Sequence, residues 1–360
     1  MSAKHRKARP PIAPPRPAPR PPLPAWKKAL FSAVTLVLAL ALLEGAARLV
    51  TSAAPNLRWE SHRRLLDATG FPRLNEILVP EPALFWTLRA NLERYAVSGR
   101  VAASSELQFT VSTDASGNRR LPAPSAGRPL VAFLGDSCTF GVGVEGNQVF
   151  PALLQQRLDV GAVNLGVPGY TAYQGHRRLA TYHFPTAPRI VVVSFGFNDS
   201  APWDGLSDRE HAERLSGGGS WLQHSRLLSS LAALRRPAAS SAAPASARRP
   251  RLTDPEFADE LREIARWSRE RKIAVVLLVW PFRGQMAQVP LTSKQRVVAQ
   301  VGEAEGVEVV DLLPVFRVAG GPVLFADVVH ASPLGHQVIA DVLAPVLRRL
   351  LGQAQEGGER

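Results

Sequence analysis

The apolar positions along the chain fall into three regimes. Between residues 29 and 43 the run ALFSAVTLVLALALL carries no charge. It is shorter than the roughly 20 residues a spanning helix needs, and counting from Trp26 to Val50 restores the length. Lys27 and Lys28 can snorkel at one end, and Glu44 and Arg48, one helical turn apart, can pair near the other. From residue 129 onward, short apolar runs alternate with amphipathic stretches. The spacing predicts strands at 130–134, 162–165, 190–195, 273–279 and 307–310, and helices at 148–158, 172–183, 255–271, 293–305 and 333–350. In the helix from Pro255, the residues Phe257, Leu261, Ile264 and Ala265 share one face, with Asp254 as the expected N-cap. Ser332-Pro333 repeats that start signal. Continuously apolar strands alternating with helices predict an α/β fold with a parallel sheet covered on both faces. Chemistry in such a sheet belongs at the carboxyl ends of its strands.

Two stretches escape this regularity. Residues 51–128, with Pro80, Pro82, Trp86 and a polar stretch from 104 to 118, show no clear period. They read as a membrane-proximal extension packed on the main domain. Residues 200–252 interrupt the alternation, with three glycines at 217–219 and RRPAASSAAPASARRP at 235–250. This composition predicts a low-complexity insertion that is mobile over 217–250. The expected organisation is a basic proline-rich tail (1–25), an apolar segment (26–50), the extension (51–128), the α/β domain (129–352) and a short tail (353–360).

Charge sharpens the picture. The formal net charge is +13, and residues 1–28 alone contribute +8 with no acidic residue. The other 332 residues carry only +5, without a basic stripe interleaved with aromatics, so nucleic acid is not an expected partner. The basic leader instead predicts a cytoplasmic N-terminus, a single-pass helix in the inner (plasma) membrane, and a catalytic body outside it. A cleaved signal peptide is the competing reading, because Thr51, Ser52, Ala53 and Ala54 follow the apolar run. Cys138 is the sole cysteine, which excludes an intramolecular disulfide and a cysteine-based zinc site.

Four blocks carry candidate chemistry. Gly135-Asp136-Ser137 ends the first predicted strand, exposing a hydroxyl beside free backbone N–H groups. NLGVPGY at 164–170 follows the second strand, and Gly169 lets backbone approach a substrate closely. GFND at 196–199 follows the third and supplies the Asn198 amide. Asp327 and His330, three residues apart before the last helix, can pair so that one ring nitrogen is held and the other accepts a proton. Asp136 and Asp199 read as turn-holding residues, and His336 as structural. Each block taken alone is also an ordinary turn; their shared placement at strand ends is the informative feature.

In order, GDS, NLGVPG, GxND and DxxH resemble the SGNH (GDSL-like) hydrolase superfamily over about residues 130–350. The resemblance implies a flavodoxin-like three-layer α/β/α sandwich, the SGNH hydrolase fold. It implies Ser137 as nucleophile, His330 as general base and then acid, and Asp327 as its orienting carboxylate. It also implies an oxyanion hole from the Ser137 and Gly169 N–H groups and the Asn198 side chain. No metal or organic cofactor is implied. The tetrapeptide here is GDSC rather than GDSL. The expected activity is hydrolysis of an ester, acetyl or short acyl, with an acylated glycan among the candidate substrates. A cell-envelope polysaccharide O-acetyltransferase uses the same triad and needs a membrane partner to supply the acyl donor. A non-catalytic envelope-binding protein is the third reading, and the intact triad argues against it.

Overall fold

The computed structural model describes residues 24–50, 59, 63, 72–102, 105–123, 127–202, 206–215, 225, 227–228 and 249–356. These form two compact units. The smaller contains helix α1 (Ala25–Val50). Its segment Ala25–Leu49 has a mean hydropathy of 2.1 and is long and apolar enough to cross a membrane. At 1.5 Å per residue it extends about 37 Å. Glu44 and Arg48 pair at 2.8 Å as their spacing predicts, and Glu44 also accepts from Ser225 Oγ at 2.7 Å.

The larger unit is built on five parallel strands: β5 (Leu130–Gly135), β6 (Gly161–Asn164), β7 (Ile190–Ser194), β8 (Ala274–Val279) and β9 (Glu308–Asp311). Their spatial order is β6-β5-β7-β8-β9, the flavodoxin-like order 2-1-3-4-5. All five lie within a residue or two of their predicted spans. Alternate residues feed two apolar layers, as the strand period demands. Ala132, Leu134, Val191, Val193 and Leu277 face one core, with α5 (Ala172–Thr181), α7 (Asp254–Glu270) and α8 (Ser293–Glu305). Val131, Phe133, Val192, Val276 and Leu278 face the other, with α4 (Phe150–Leu158), α9 (Leu312–Ala319) and α10 (Pro333–Glu356). This is the three-layer sandwich of the SGNH hydrolase fold. The order reverses between β5 and β7, so a crevice opens at the carboxyl ends of those two strands.

Three details differ from expectation. The N-cap of α7 is Thr253, not Asp254: the Thr253 and Glu256 side chains form a reciprocal capping box, which shifts Pro255 to the second turn position. The last helix runs on to Glu356 and accommodates Pro345. The extension, read as irregular, has regular elements among its described residues. Helix α2 (Pro72–Glu76) precedes two antiparallel hairpins, β1 (Leu78–Glu81) with β2 (Phe85–Leu88), and β3 (Tyr95–Ala102) with β4 (Ser105–Val111). Ile77, Trp86, Leu88, Val97 and Phe109 of these elements join the core that covers one sheet face. Within 200–252, helix α6 (Asp208–Leu215) is regular and its Asp208 is fully buried. Most of the stretch expected to be mobile, 217–250, lies outside the described residues.

Candidate functional site

The end of β5 is shaped by steric necessity. A Cβ on Gly135 would lie 2.1 Å from Thr139 Oγ1 and 2.7 Å from the Ser194 carbonyl, so no other residue fits. Asp136 then caps the short helix α3 (Ser137–Phe140) by accepting from the Cys138 N–H at 2.8 Å. Ser137 is therefore the first residue of a helical turn, and no acceptor among the described residues takes its backbone N–H.

Across the crevice, the loop before α10 carries the Asp327–His330 pair. Asp327 Oδ1 accepts from the Val329 N–H at 2.8 Å and the His330 N–H at 2.7 Å, which bends the loop back on itself. Asp327 Oδ2 lies 2.5 Å from His330 Nδ1, and His330 Nε2 lies 2.8 Å from Ser137 Oγ. With the Nδ1 proton held by the carboxylate, Nε2 presents its lone pair to the hydroxyl. Burial raises the Asp327 carboxyl, but the His330 imidazole and the two N–H groups outweigh it and hold the pKa at about 2. The hydroxyl, imidazole and carboxylate form one continuous hydrogen-bonded line. Such a line can draw the proton from the hydroxyl as the oxygen attacks an electrophile.

The other two expected residues frame the same crevice. Val167 N donates to the Gly135 carbonyl at 3.2 Å, and a Cβ on Gly166 would lie 2.4 Å from Phe140 N. The loop after β6 is thus pressed against α3. Gly169 sits at φ +81°, and no acceptor among the described residues takes its N–H. Asn198 starts a 3₁₀ turn after β7. Its Nδ2 donates to Asp136 Oδ2 at 3.0 Å and to the Tyr170 carbonyl at 3.1 Å. Both amide hydrogens already have acceptors, so an oxyanion receives Asn198 only as a shared, three-centre donor.

The neighbouring polar residues hold this frame. Asp199 accepts from the Ala172 and Gly196 N–H groups, each at 2.9 Å, and burial raises its pKa to about 7. Asp136 is also raised by burial, which the Cys138 N–H, His330 and Asn198 only partly offset. Cys138 is buried, and burial followed by the Asp136 and Asp327 charges pushes its thiol well up, keeping it protonated. It packs in the core as its position suggests. His336 lies inside α10 with Nδ1 accepting from the Phe150 N–H at 3.2 Å, a structural contact.

Several contributing residues left no mark in the sequence pattern. Trp280, at the end of β8, donates to the Val329 carbonyl at 2.9 Å and fixes the Asp327–His330 loop. Arg119 is buried and donates to the carbonyls of Phe140, Gly141 and Val144, gripping the chain just after α3. Burial lowers its pKa to about 9, so it stays a cation at neutral pH. Arg251 donates to the Gly169 carbonyl at 2.6 Å and pairs with Asp208 at 2.9 Å, both side chains fully buried. No local periodicity announces contacts made across such sequence distances.

Several solved structures of low sequence identity are similar to part of the chain. The chain has 21% identity to a lipase/acylhydrolase from Enterococcus faecalis, over 61% of this chain and 95% of that one, with a TM-score of 0.41. An acetyl xylan esterase, AlAXEase, is 16% identical over 60% and 98%, TM-score 0.42. Axe2, an acetylxylan esterase from Geobacillus stearothermophilus, is 19% identical over 63% and 95%, TM-score 0.40. No curated protein matches the chain. The sequence model of the GDSL-like lipase/acylhydrolase family matches residues 133–338, which takes in the carboxyl end of β5, the crevice and the Asp327–His330 loop. The chain is a GDSL-like hydrolase and belongs to that family.

Proposed function

We propose that the protein is a serine esterase that removes acetyl or short acyl groups through an acyl-enzyme on Ser137. The observation that carries this reading is the unbroken line from Ser137 Oγ through His330 to Asp327, at 2.8 and 2.5 Å. Ser137 attacks the ester carbonyl while His330 Nε2 takes its proton. The oxyanion is met by the Ser137 and Gly169 N–H groups, with Asn198 as a third, shared donor. His330 then protonates the leaving alcohol, and water activated by the same ring releases the acid. Asp327, a carboxylate at any pH above about 2, keeps the ring in the needed tautomer and stabilises the imidazolium. Ser137 is only 9% exposed, which favours a small acyl group over a long chain. The basic leader and α1 support a single-pass inner-membrane location with the catalytic unit outside the cytoplasm.

The test is turnover on aryl acetate, aryl butyrate and acetylated xylo-oligosaccharides, with and without a soluble glycan acceptor. The reading expects acetate release to water, falling with acyl length, and its loss by several orders of magnitude in Ser137→Ala. Acetyl transfer to the acceptor in preference to water would move the assignment to the O-acetyltransferase. No turnover of any ester by folded protein would refute both.

A further inference from the structure

The turn at residues 167–170 has a chemical ambiguity that something outside it must resolve. Tyr170 N donates to the Val167 carbonyl at 3.2 Å, which closes a four-residue turn with Pro168 and Gly169 at its centre. Gly169 at φ +81° makes it type II. Types I and II differ by a rotation of the central peptide of about 180°, and proline then glycine tolerates either form. In one form the Pro168 carbonyl points to a given face of the turn; in the other, the Gly169 N–H does. The Pro168-Gly169 pair favours type II, but the Tyr170 N–H to Val167 carbonyl bond that closes the turn is compatible with both forms and does not lock the central peptide.

The determinant comes from the extension. Trp86, on β2 and fully buried, donates its indole N–H to the Pro168 carbonyl at 3.0 Å. That carbonyl and the Gly169 N–H belong to the same trans peptide, so they point in opposite directions. Holding the carbonyl against Trp86 leaves the N–H on the far face, where no described residue takes it. The clamp is reciprocal: Tyr170 OH donates to the Trp86 carbonyl at 2.7 Å, and the two rings meet edge to face with centroids 6.0 Å apart. Polarising the carbonyl also makes the N–H of the same peptide a better donor.

We propose that Trp86 is a positioning residue for the oxyanion hole: its indole N–H selects the orientation of the Pro168–Gly169 peptide that frees the Gly169 N–H. This rests on the esterase reading above. Trp86 lies outside the family match of 133–338, so on this proposal one side chain of the extension serves the catalytic loop while its strand neighbours only pack.

The experiment compares wild type with Trp86→Phe, which keeps an aromatic ring and removes the donor. A second variant carries benzothienylalanine at position 86, an isostere with sulfur in place of the N–H. Leu88→Ala, on the same strand, controls for lost packing. Each is measured for kcat and KM on an aryl acetate, for inhibition by a trifluoromethyl ketone whose adduct mimics the oxyanion, and for melting temperature. The expected result is a fall in kcat of about tenfold or more in both Trp86 variants, with KM within about twofold and the ketone weakened in parallel. Leu88→Ala should lower the melting temperature while leaving kcat near wild type. Unchanged kcat and ketone affinity in the benzothienylalanine variant overturn the proposal, as does an equal kinetic loss in Leu88→Ala. Should Trp86→Phe fail to fold, the isostere decides alone. Ser137→Ala in the same series separates the two claims: if it stays active, the esterase reading fails, whereas a dead Ser137→Ala beside an unaffected Trp86 isostere refutes the positioning role only.

Discussion

His330 contacts Asp327 and Ser137, whereas His336, six residues on, is a packed core side chain. His336 is buried, lies parallel to the Phe150 ring, and leaves Nε2 without a partner among the described residues. Burial, followed by the Arg119 and His330 charges, lowers its pKa to about 3. An unfolded histidine titrates near 6.5, so the unfolded chain takes this proton first as pH falls. The stability from a neutral His336 is complete above about pH 6.5 and is lost progressively toward pH 3. The loss is on the order of 5 kcal/mol. Asp199 acts in the opposite sense: its raised pKa gives stability that is present below about pH 4 and lost as pH rises through about 7. Asp327 enters only below about pH 4, its contribution being lost toward its folded pKa of about 2. Urea denaturation from pH 7.5 to 4 therefore separates them by variant. His336→Gln should be less stable at pH 7.5 and show a shallower decline between pH 6.5 and 4 than wild type. Parallel curves would mean that another group carries the acid sensitivity. For catalysis, Asn198→Ala should lower kcat by about 10²–10³ if Asn198 is an oxyanion donor, with KM little changed. A loss confined to melting temperature would reduce Asn198 to a brace for Asp136.

Among the elements, the buried Arg251–Asp208 pair links the segment before α7 to α6 and to the loop after β6. Arg251 reaches Gly169 and Gln174, and Thr171 Oγ1 donates to Asp208 at 2.6 Å. Removing one partner leaves the other charge buried, so Arg251→Met should cost about 3–5 kcal/mol in a denaturation experiment. Arg251→Met with Asp208→Asn should recover part of that loss. No recovery would mean that the contacts to Gly169 and Gln174 dominate. The same elements explain what was legible in the sequence. Strands covered on both faces read as apolar runs such as IVVVS and AVVLLV, and they were placed nearly to the residue. The candidate site was legible because its blocks stand directly at those strand ends. The hairpins of the extension were not, because Pro80 and Gly99 interrupt their alternation and their burial comes from partners far along the chain. Trp86 and Pro168, 82 residues apart, are the clearest case. The shift of the α7 cap from Asp254 to Thr253 is a local competition between two acceptable capping residues, decided by the reach of Glu256 back to Thr253.

For the whole molecule, the family match accounts for most of the sandwich, while Trp86 and Arg119 bring the extension to the loops of the crevice. Truncation at residue 128 should therefore give a protein with little esterase activity. The apolar helix leads to a separate prediction about location. Full-length protein carrying tags at both ends should sediment with membranes, keep its N-terminal tag, and lose its C-terminal tag to protease added to spheroplasts. Deletion of residues 1–50 in a cytoplasmic expression host should make it soluble. Intact full-length protein found free in the cytoplasm would contradict the anchor.

The central claim is that Ser137 is the nucleophile, and covalent capture tests it most directly. The full-length protein in detergent is treated with a fluorophosphonate, and intact mass and peptide mapping locate the adduct. The account predicts one phosphonyl group per chain, on Ser137, with loss of esterase activity in step with labelling and no adduct on a folded Ser137→Ala variant. An adduct on Cys138 or elsewhere, or esterase activity that survives complete labelling of Ser137, would contradict it.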